Sequence, residues 1–148
     1  MKYFLVLVIL SLIQFGCARP NYLDSVKQDQ QQTVNSEVYK LASASLGLAI
    51  DLAFDKTPND SDENTFILQF HQPGSSVAVG VDQTIAIILW MPSMGHGSSP
   101  VKIQKIADGI YRVTKVYFIM PGDWEIRLQI KDQETSNVIE QINQKISI

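Results

Sequence analysis

From residue 46 onward the chain is a succession of short apolar runs separated by turn residues, and this spacing restricts the fold more than any other feature. The runs are Leu46–Phe54, Phe66–His71, Val77–Val81, Thr84–Trp90, Val101–Ile106, Tyr111–Met120, Trp124–Ile130 and Val138–Ile148. None extends into a long amphipathic helix, and no internal repeat is present. Regular short runs of this kind belong to a β-sandwich or barrel. The expectation is an all-β, immunoglobulin-like antiparallel β-sandwich over residues 46–148, since a length of about 100 residues suits that architecture.

Two runs carry the strand argument. Trp124, Ile126, Leu128 and Ile130 alternate with Glu125, Arg127, Gln129 and Lys131, so one face is core and the other water. In Tyr111–Met120, Tyr111 and Val113 share one parity while Val116, Phe118 and Met120 share the other, which predicts a bulge at Thr114-Lys115. Asp108-Gly109 and Pro121-Gly122-Asp123 are turn signals. Together they predict a three-stranded antiparallel meander from Val101 to Ile130, with Met120 closing its middle strand.

The first residues read as an address. Met1-Lys2 precedes an apolar run from Tyr3 to Phe15, the length of a signal-peptide core. A bilayer-spanning helix needs about 20 apolar residues, and this run stops at Cys17-Ala18-Arg19-Pro20. Gly16-Cys17 resembles the lipobox of bacterial lipoproteins, whose cysteine becomes the lipid-bearing first residue. Cleavage after Ala18, with Gly16 and Ala18 as the small pair, is the other reading. Cys17 is the chain's single cysteine, so no disulfide partner competes for it. Residues 1–16 are thus expected to be a signal peptide and residues 17–45, rich in glutamine, a polar tether, with a short helical turn possible over Val34–Leu41. This places the domain in the cell envelope, exported and membrane-anchored through lipid.

A net charge of −3 gives no basic face with which to displace counterions from phosphates, so nucleic acid is excluded as a partner. Enzymatic chemistry finds little support. His71 and His96 are the only histidines, Ser93, Ser98 and Ser99 lie in a turn-like stretch, and there is no Gly-x-Ser-x-Gly elbow. Asp60, Asp62 and Glu63 lack the glycine and terminal glutamate of a calcium-binding EF-hand loop.

The chemistry concentrates in Trp90-Met91-Pro92-Ser93-Met94-Gly95-His96-Gly97. Thioether sulfur favours Cu(I), and imidazole suits both copper oxidation states, so Met91, Met94 and His96 form a candidate copper site with Met120 as a fourth ligand. Gly95 and Gly97 let the backbone turn around His96. Trp90 and Trp124 flank these positions as a shield for the metal, or as apolar anchors for another protein. Packing is the competing explanation, because methionines beside Trp and Pro in β proteins often fill core gaps. Whether His71 approaches the cluster stays open.

This octapeptide, followed by Asp108-Gly109-Ile110-Tyr111 and then Met120-Pro121-Gly122-Asp123-Trp124-Glu125-Ile126, resembles the YtkA-like/FixH family of exported or membrane-anchored β-domains. The resemblance covers roughly Leu46 to Ile148. It implies an immunoglobulin-like sandwich and a connection with copper handling or respiratory-oxidase assembly. A non-metal accessory domain, docking an envelope protein through the Met-Pro-x-Met-Gly-His loop, is the alternative function.

Overall fold

A computed structural model describes residues 37–148, and among these it contains strands and no helix. Nine strands form: β1 (Val38–Ser43), β2 (Leu48–Phe54), β3 (Asn64–His71), β4 (Thr84–Met91), β5 (His96–Gly97), β6 (Lys102–Ala107), β7 (Ile110–Val116), β8 (Asp123–Lys131) and β9 (Val138–Ser147). They build a five-stranded sheet in the order β1-β2-β3-β7-β6 and a four-stranded sheet in the order β5-β4-β8-β9, with every pairing antiparallel. Within them, β2-β3-β7-β6 and β5-β4-β8-β9 reproduce the two sheets of an immunoglobulin-like sandwich, and β1 is an added edge strand. The expected signal peptide, Cys17 and most of the expected tether lie outside the described residues.

Alternation builds the core. In β2, Leu48, Ile50, Leu52 and Phe54 point inward, and in β8 Trp124, Ile126, Leu128 and Ile130 do the same, as the sequence pattern requires. An aromatic chain runs through one end of the sandwich: Phe54 meets Tyr39, Phe66 and Phe118, and Phe118 meets Trp124 with ring centroids 5.6 Å apart. This end carries the β4–β5 turn.

Three expectations require correction. The tether does not reach residue 45, and the described part of the expected helical turn is extended: β1 pairs with β2 from Val38↔Ala53 to Ser43↔Leu48. β1 turns only Tyr39 and Leu41 towards the core, an alternation too short to stand out after the glutamine-rich stretch that precedes it. Secondly, Val77–Val81 is not a strand, making only the single bridge His71↔Ala78. Thirdly, the meander is broken. β6 and β7 pair across the Asp108-Gly109 turn, but β7 continues to β3 whereas β8 lies in the other sheet between β4 and β9.

The predicted bulge explains that break. Asn64↔Val116 and Phe66↔Val113 set Thr114 and Lys115 against one residue of β3, with Lys115 at φ 57°. The Glu63 carboxylate accepts from the Lys115 amide (2.8 Å) and the Tyr117 hydroxyl (2.8 Å), fixing the exit of the strand. Buried Asn64 completes the corner: its amide donates to the carbonyls of Asn59 (2.8 Å), Asp62 (3.2 Å) and Val116 (3.3 Å). Residues 117–122 therefore cross between the sheets, and Gly122 and Ile148 exchange backbone hydrogen bonds at 2.9 and 3.0 Å.

At the opposite end, the Glu140 carboxylate of β9 accepts from the Ser43 and Ser45 hydroxyls (2.6 Å each) and from the Ala44 (2.9 Å) and Ser45 (3.1 Å) amides. Partial burial would raise its pKa, but these donors outweigh that and hold it down at about 2. One ionised carboxylate thus ties the β1–β2 turn to the other sheet.

Candidate metal centre

The β4–β5 hairpin is closed by two cross-strand pairs, Trp90↔Gly97 and Met91↔His96. Between them the Met91 carbonyl accepts from the Met94 (3.2 Å) and Gly95 (3.0 Å) amides, so Pro92-Ser93-Met94-Gly95 makes a single tight turn, with Gly95 at φ 66°. Gly97 is required for a different reason from the one its sequence suggests. Its backbone lies against β4, where the Ser98 amide donates to the Leu89 carbonyl (3.1 Å), and a Cβ on Gly97 would sit 2.6 Å from that carbonyl oxygen. Close approach of two chains, not turning, excludes a side chain there.

Directly opposed residues of an antiparallel pair project to the same face, which brings His96 beside Met91. Met91 is 3% exposed, and its methyl group lies 2.8 Å from the point a Gly122 Cβ would occupy, so it touches the crossover that carries Met120. Met120 is half-buried and packs against the core. It lies in the crossover, not at a strand end as expected, because β7 stops at Val116. Its carbonyl accepts the Trp124 indole N–H at 3.0 Å. Met94, at the apex of the turn, is 57% exposed.

The half-buried His96 ring holds Nδ1 3.3 Å from the Gly97 carbonyl oxygen. A carbonyl only accepts, so this contact places the proton on Nδ1 and leaves the Nε2 lone pair as the nitrogen donor. Register thus puts the Met91 thioether and the His96 imidazole on one face of the hairpin, next to the crossover on which Met120 lies, while the apical thioether of Met94 stands in solvent. This donor set fits a soft monovalent ion and not a hard divalent one. Among the described residues, no three of His, Cys, Asp and Glu gather as a metal-holding group.

The two tryptophans are placed differently. Trp90 follows the alternation of β4 to the outer face, where the Arg127 guanidinium lies 4.8 Å from its ring centroid. Arg127 is itself held by Glu125 through Nε (2.9 Å) and Nη2 (2.8 Å). One face of the Trp90 indole is therefore occupied by this cation. Trp124 is fully buried, which removes it as a docking anchor. Arg127 escaped the sequence reading because only cross-strand register, Ile88↔Arg127 beside Trp90↔Glu125, brings it to Trp90. A cleft of about 480 Å³ flanks the turn, between Pro92 and Ser93 on one side and Asp123, Glu125 and Lys145 on the other.

His71 does not join the cluster. It sits on β3 of the five-stranded sheet, buried, with Nδ1 3.0 Å from the Gln72 carbonyl and Nε2 3.2 Å from Asp51 Oδ1. Both neighbours are acceptors, Gln72 through a hydrogen bond and Asp51 through an N···O contact, so the surroundings of the ring favour its protonated form. The Gln72 carbonyl and then the Asp51 carboxylate raise its pKa. For Asp51, burial pulls upward but is outweighed by the hydrogen bond from Lys40 (2.6 Å) and the nearby His71 ring, which hold its pKa down. A raised histidine pKa stabilises the fold fully below the ordinary value of about 6.5, and that contribution is lost as pH rises through the folded value. The expected result is a His71 ring titrating above about 6.5 by nitrogen-detected NMR, and a His71→Gln variant whose stability falls less than that of wild type as pH rises from about 6.5. A ring that titrates at or below the free value would contradict the placement of its two nitrogens against the Gln72 carbonyl and the Asp51 carboxylate.

Comparison with known proteins adds one result. The sequence model of the YtkA-like family matches residues 43–129, from the end of β1 into β8, and so contains the hairpin, the crossover and Trp124. No curated protein and no solved structure matches. With more than half its length covered by that match, the chain belongs to the YtkA-like family.

Proposed function

We propose that this chain is an exported, lipid-anchored envelope protein whose YtkA-like sandwich binds Cu(I) at the β4–β5 hairpin, for metal handling or respiratory-oxidase assembly, and that it is not an enzyme. The observation that carries the reading is the pairing of Met91 with His96 in a hairpin whose buried thioether touches the Met120 crossover. Met94 and His96 are the donors an incoming ion reaches first, while Met91 and Met120 line the inner side. Bound Cu(I) would supply no hydrolytic chemistry; it would be cargo held by soft donors and released to a competing site. Anchoring through Cys17 supplies proximity to membrane-embedded acceptors.

A Cu(I) competition titration of the chain from Ala18 onward, against a chromophoric chelator, is expected to show one ion bound per chain. The double variant Met94→Ala/His96→Ala is expected to lose it. Failure of the wild-type protein to compete sinks the copper reading. In the full chain, labelled palmitate is expected to be incorporated and to disappear in Cys17→Ala; unlabelled wild type would contradict the anchor alone.

The second reading is docking of an envelope protein, favoured by the 57% exposure of Met94 at the apex of a rigid turn. His96 separates the two: removing its imidazole abolishes Cu(I) uptake if it is a ligand, and only mildly weakens an apolar contact.

A further inference from the structure

The sandwich has four lateral sheet edges, and they are not treated alike. An open edge presents unpaired N–H and C=O groups, and proteins discourage pairing there with lysines, inward charges, prolines or bulges. β1 carries Lys40, β6 carries Lys102 and Lys105 together with a register break between Lys105 and Ala107, and β9 carries Glu140 and Lys145 with a break opposite Ile130 and Lys131. The fourth edge is β4. There β5 covers only Trp90 and Met91, and Thr84-Ile85-Ala86-Ile87-Ile88-Leu89 has no charge, no proline and an unbroken register against β8. A segment rich in β-branched residues and without a charge is therefore also a sheet edge.

The direction of its backbone groups follows from the hairpin. The Leu89 and Met91 carbonyls point to the β5 side, where they accept from Ser98 and from Met94 and Gly95. Alternate residues of a strand direct their groups to the same side, so Ile85 and Ile87 also present theirs to this edge. Among the described residues, no turn or loop hydrogen bond reaches either one. Ser98 occupies the edge at Leu89, which leaves Thr84–Ile88 accessible.

We infer that this chain forms a two-fold dimer by antiparallel pairing of β4 with β4 of a second copy, about an axis through Ala86. In that register Ile85 and Ile87 exchange both backbone hydrogen bonds with Ile87 and Ile85 of the partner, and their inward side chains continue the core past the edge. On the outer face the smallest side chain, Ala86, opposes its own copy, and Thr84 opposes Ile88, which is 41% exposed in the single chain. No charges of like sign meet along this stretch, because the segment has none. A second copy meets every position of this edge with a residue that fits it, whereas each of the other three edges would bring lysines or a bulge into the ladder. The inference is independent of copper binding.

The test uses the full chain in mild detergent. Wild type is expected to sediment as a dimer. Ala86→Lys, which sets two ammonium groups against each other at the axis without touching the core, is expected to sediment as a monomer with an unchanged unfolding midpoint. Opposed residues of a non-hydrogen-bonded pair have Cα atoms about 4.5 Å apart, within disulfide reach. Ala86→Cys oxidised with glutathione disulfide should therefore give a band of twice the mass on a non-reducing gel. Wild type, whose only cysteine is Cys17, and Gln104→Cys on the β6 edge should not. A monomeric wild type overturns the inference. So does a dimer indifferent to Ala86→Lys, or cross-linking at Ala86→Cys no greater than at Gln104→Cys. Protection of the Ile85 and Ile87 amides in a monomer would mean that a segment of the same chain fills the edge.

Discussion

Replacing Trp124 by alanine is expected to cost the sandwich about 3–5 kcal/mol, the range for deleting a buried aromatic side chain. The indole is fully buried at the start of β8, packs edge-on against Phe118 at 5.6 Å, and donates its N–H to the Met120 carbonyl at 3.0 Å. Alanine removes the apolar area, leaves a cavity beneath the hairpin, and orphans the carbonyl that fixes the crossover. Trp124→Phe keeps most of the ring contact and loses the donor, so its cost should be nearer 1 kcal/mol, the usual net value of one hydrogen bond. Urea unfolding followed through Trp90, the only other tryptophan, measures both. A loss below about 1 kcal/mol for Trp124→Ala would refute the placement of this residue in the core.

Gly109→Ala should be comparably damaging, through the backbone. Gly109 lies at φ 69° in the β6–β7 turn, a conformation that costs a residue with a Cβ roughly 1 kcal/mol. A Cβ there would also lie 2.1 Å from the Val79 carbonyl oxygen. Val79 cannot retreat freely. Its amide donates to the Phe70 carbonyl at 2.8 Å, while the Phe70 amide donates to Gly109 at 2.9 Å, so β3 fixes both neighbours. The overlap adds the cost of a displaced, partly core-packed segment, for a total of about 3 kcal/mol. Gly74→Ala isolates the conformational part: φ is 81° but nothing lies within 4 Å, and about 1 kcal/mol is expected. Equal losses for the two variants would show that the contact with Val79 contributes nothing.

The strand-bearing runs were legible where alternation is clean, as in β8, or where a turn residue has one conformational role, as at Gly109. The bulge at Thr114-Lys115 was legible too, since a change of parity inside one run has few other causes. β1 was missed because it turns only Tyr39 and Leu41 towards the core. The strand partners were missed because Pro121-Gly122-Asp123 is equally compatible with a hairpin and with a crossover, and local sequence does not carry the distinction. At the candidate site, the identities of Met91, Met94 and His96 stand out in a chain with four methionines and two histidines. Their unequal exposure did not, nor did the engagement of Trp90 by Arg127, because both depend on which strand lies alongside.

By itself, the sequence determined an all-β chain, its principal turns, the inward face of most strands and a thioether–imidazole cluster at a glycine-bearing turn. These are properties of residues near one another in the chain, set by side-chain alternation, backbone freedom and donor chemistry. Only the tertiary structure decided that β7 and β8 part into different sheets, that Met91 and Trp124 are core while Met94 is surface, that His71 lies against Asp51 far from the hairpin, and that one sheet edge is left without protection among the described residues. Each of those depends on contacts between segments distant in sequence, where packing of the whole sandwich chooses among arrangements that local preferences leave equal.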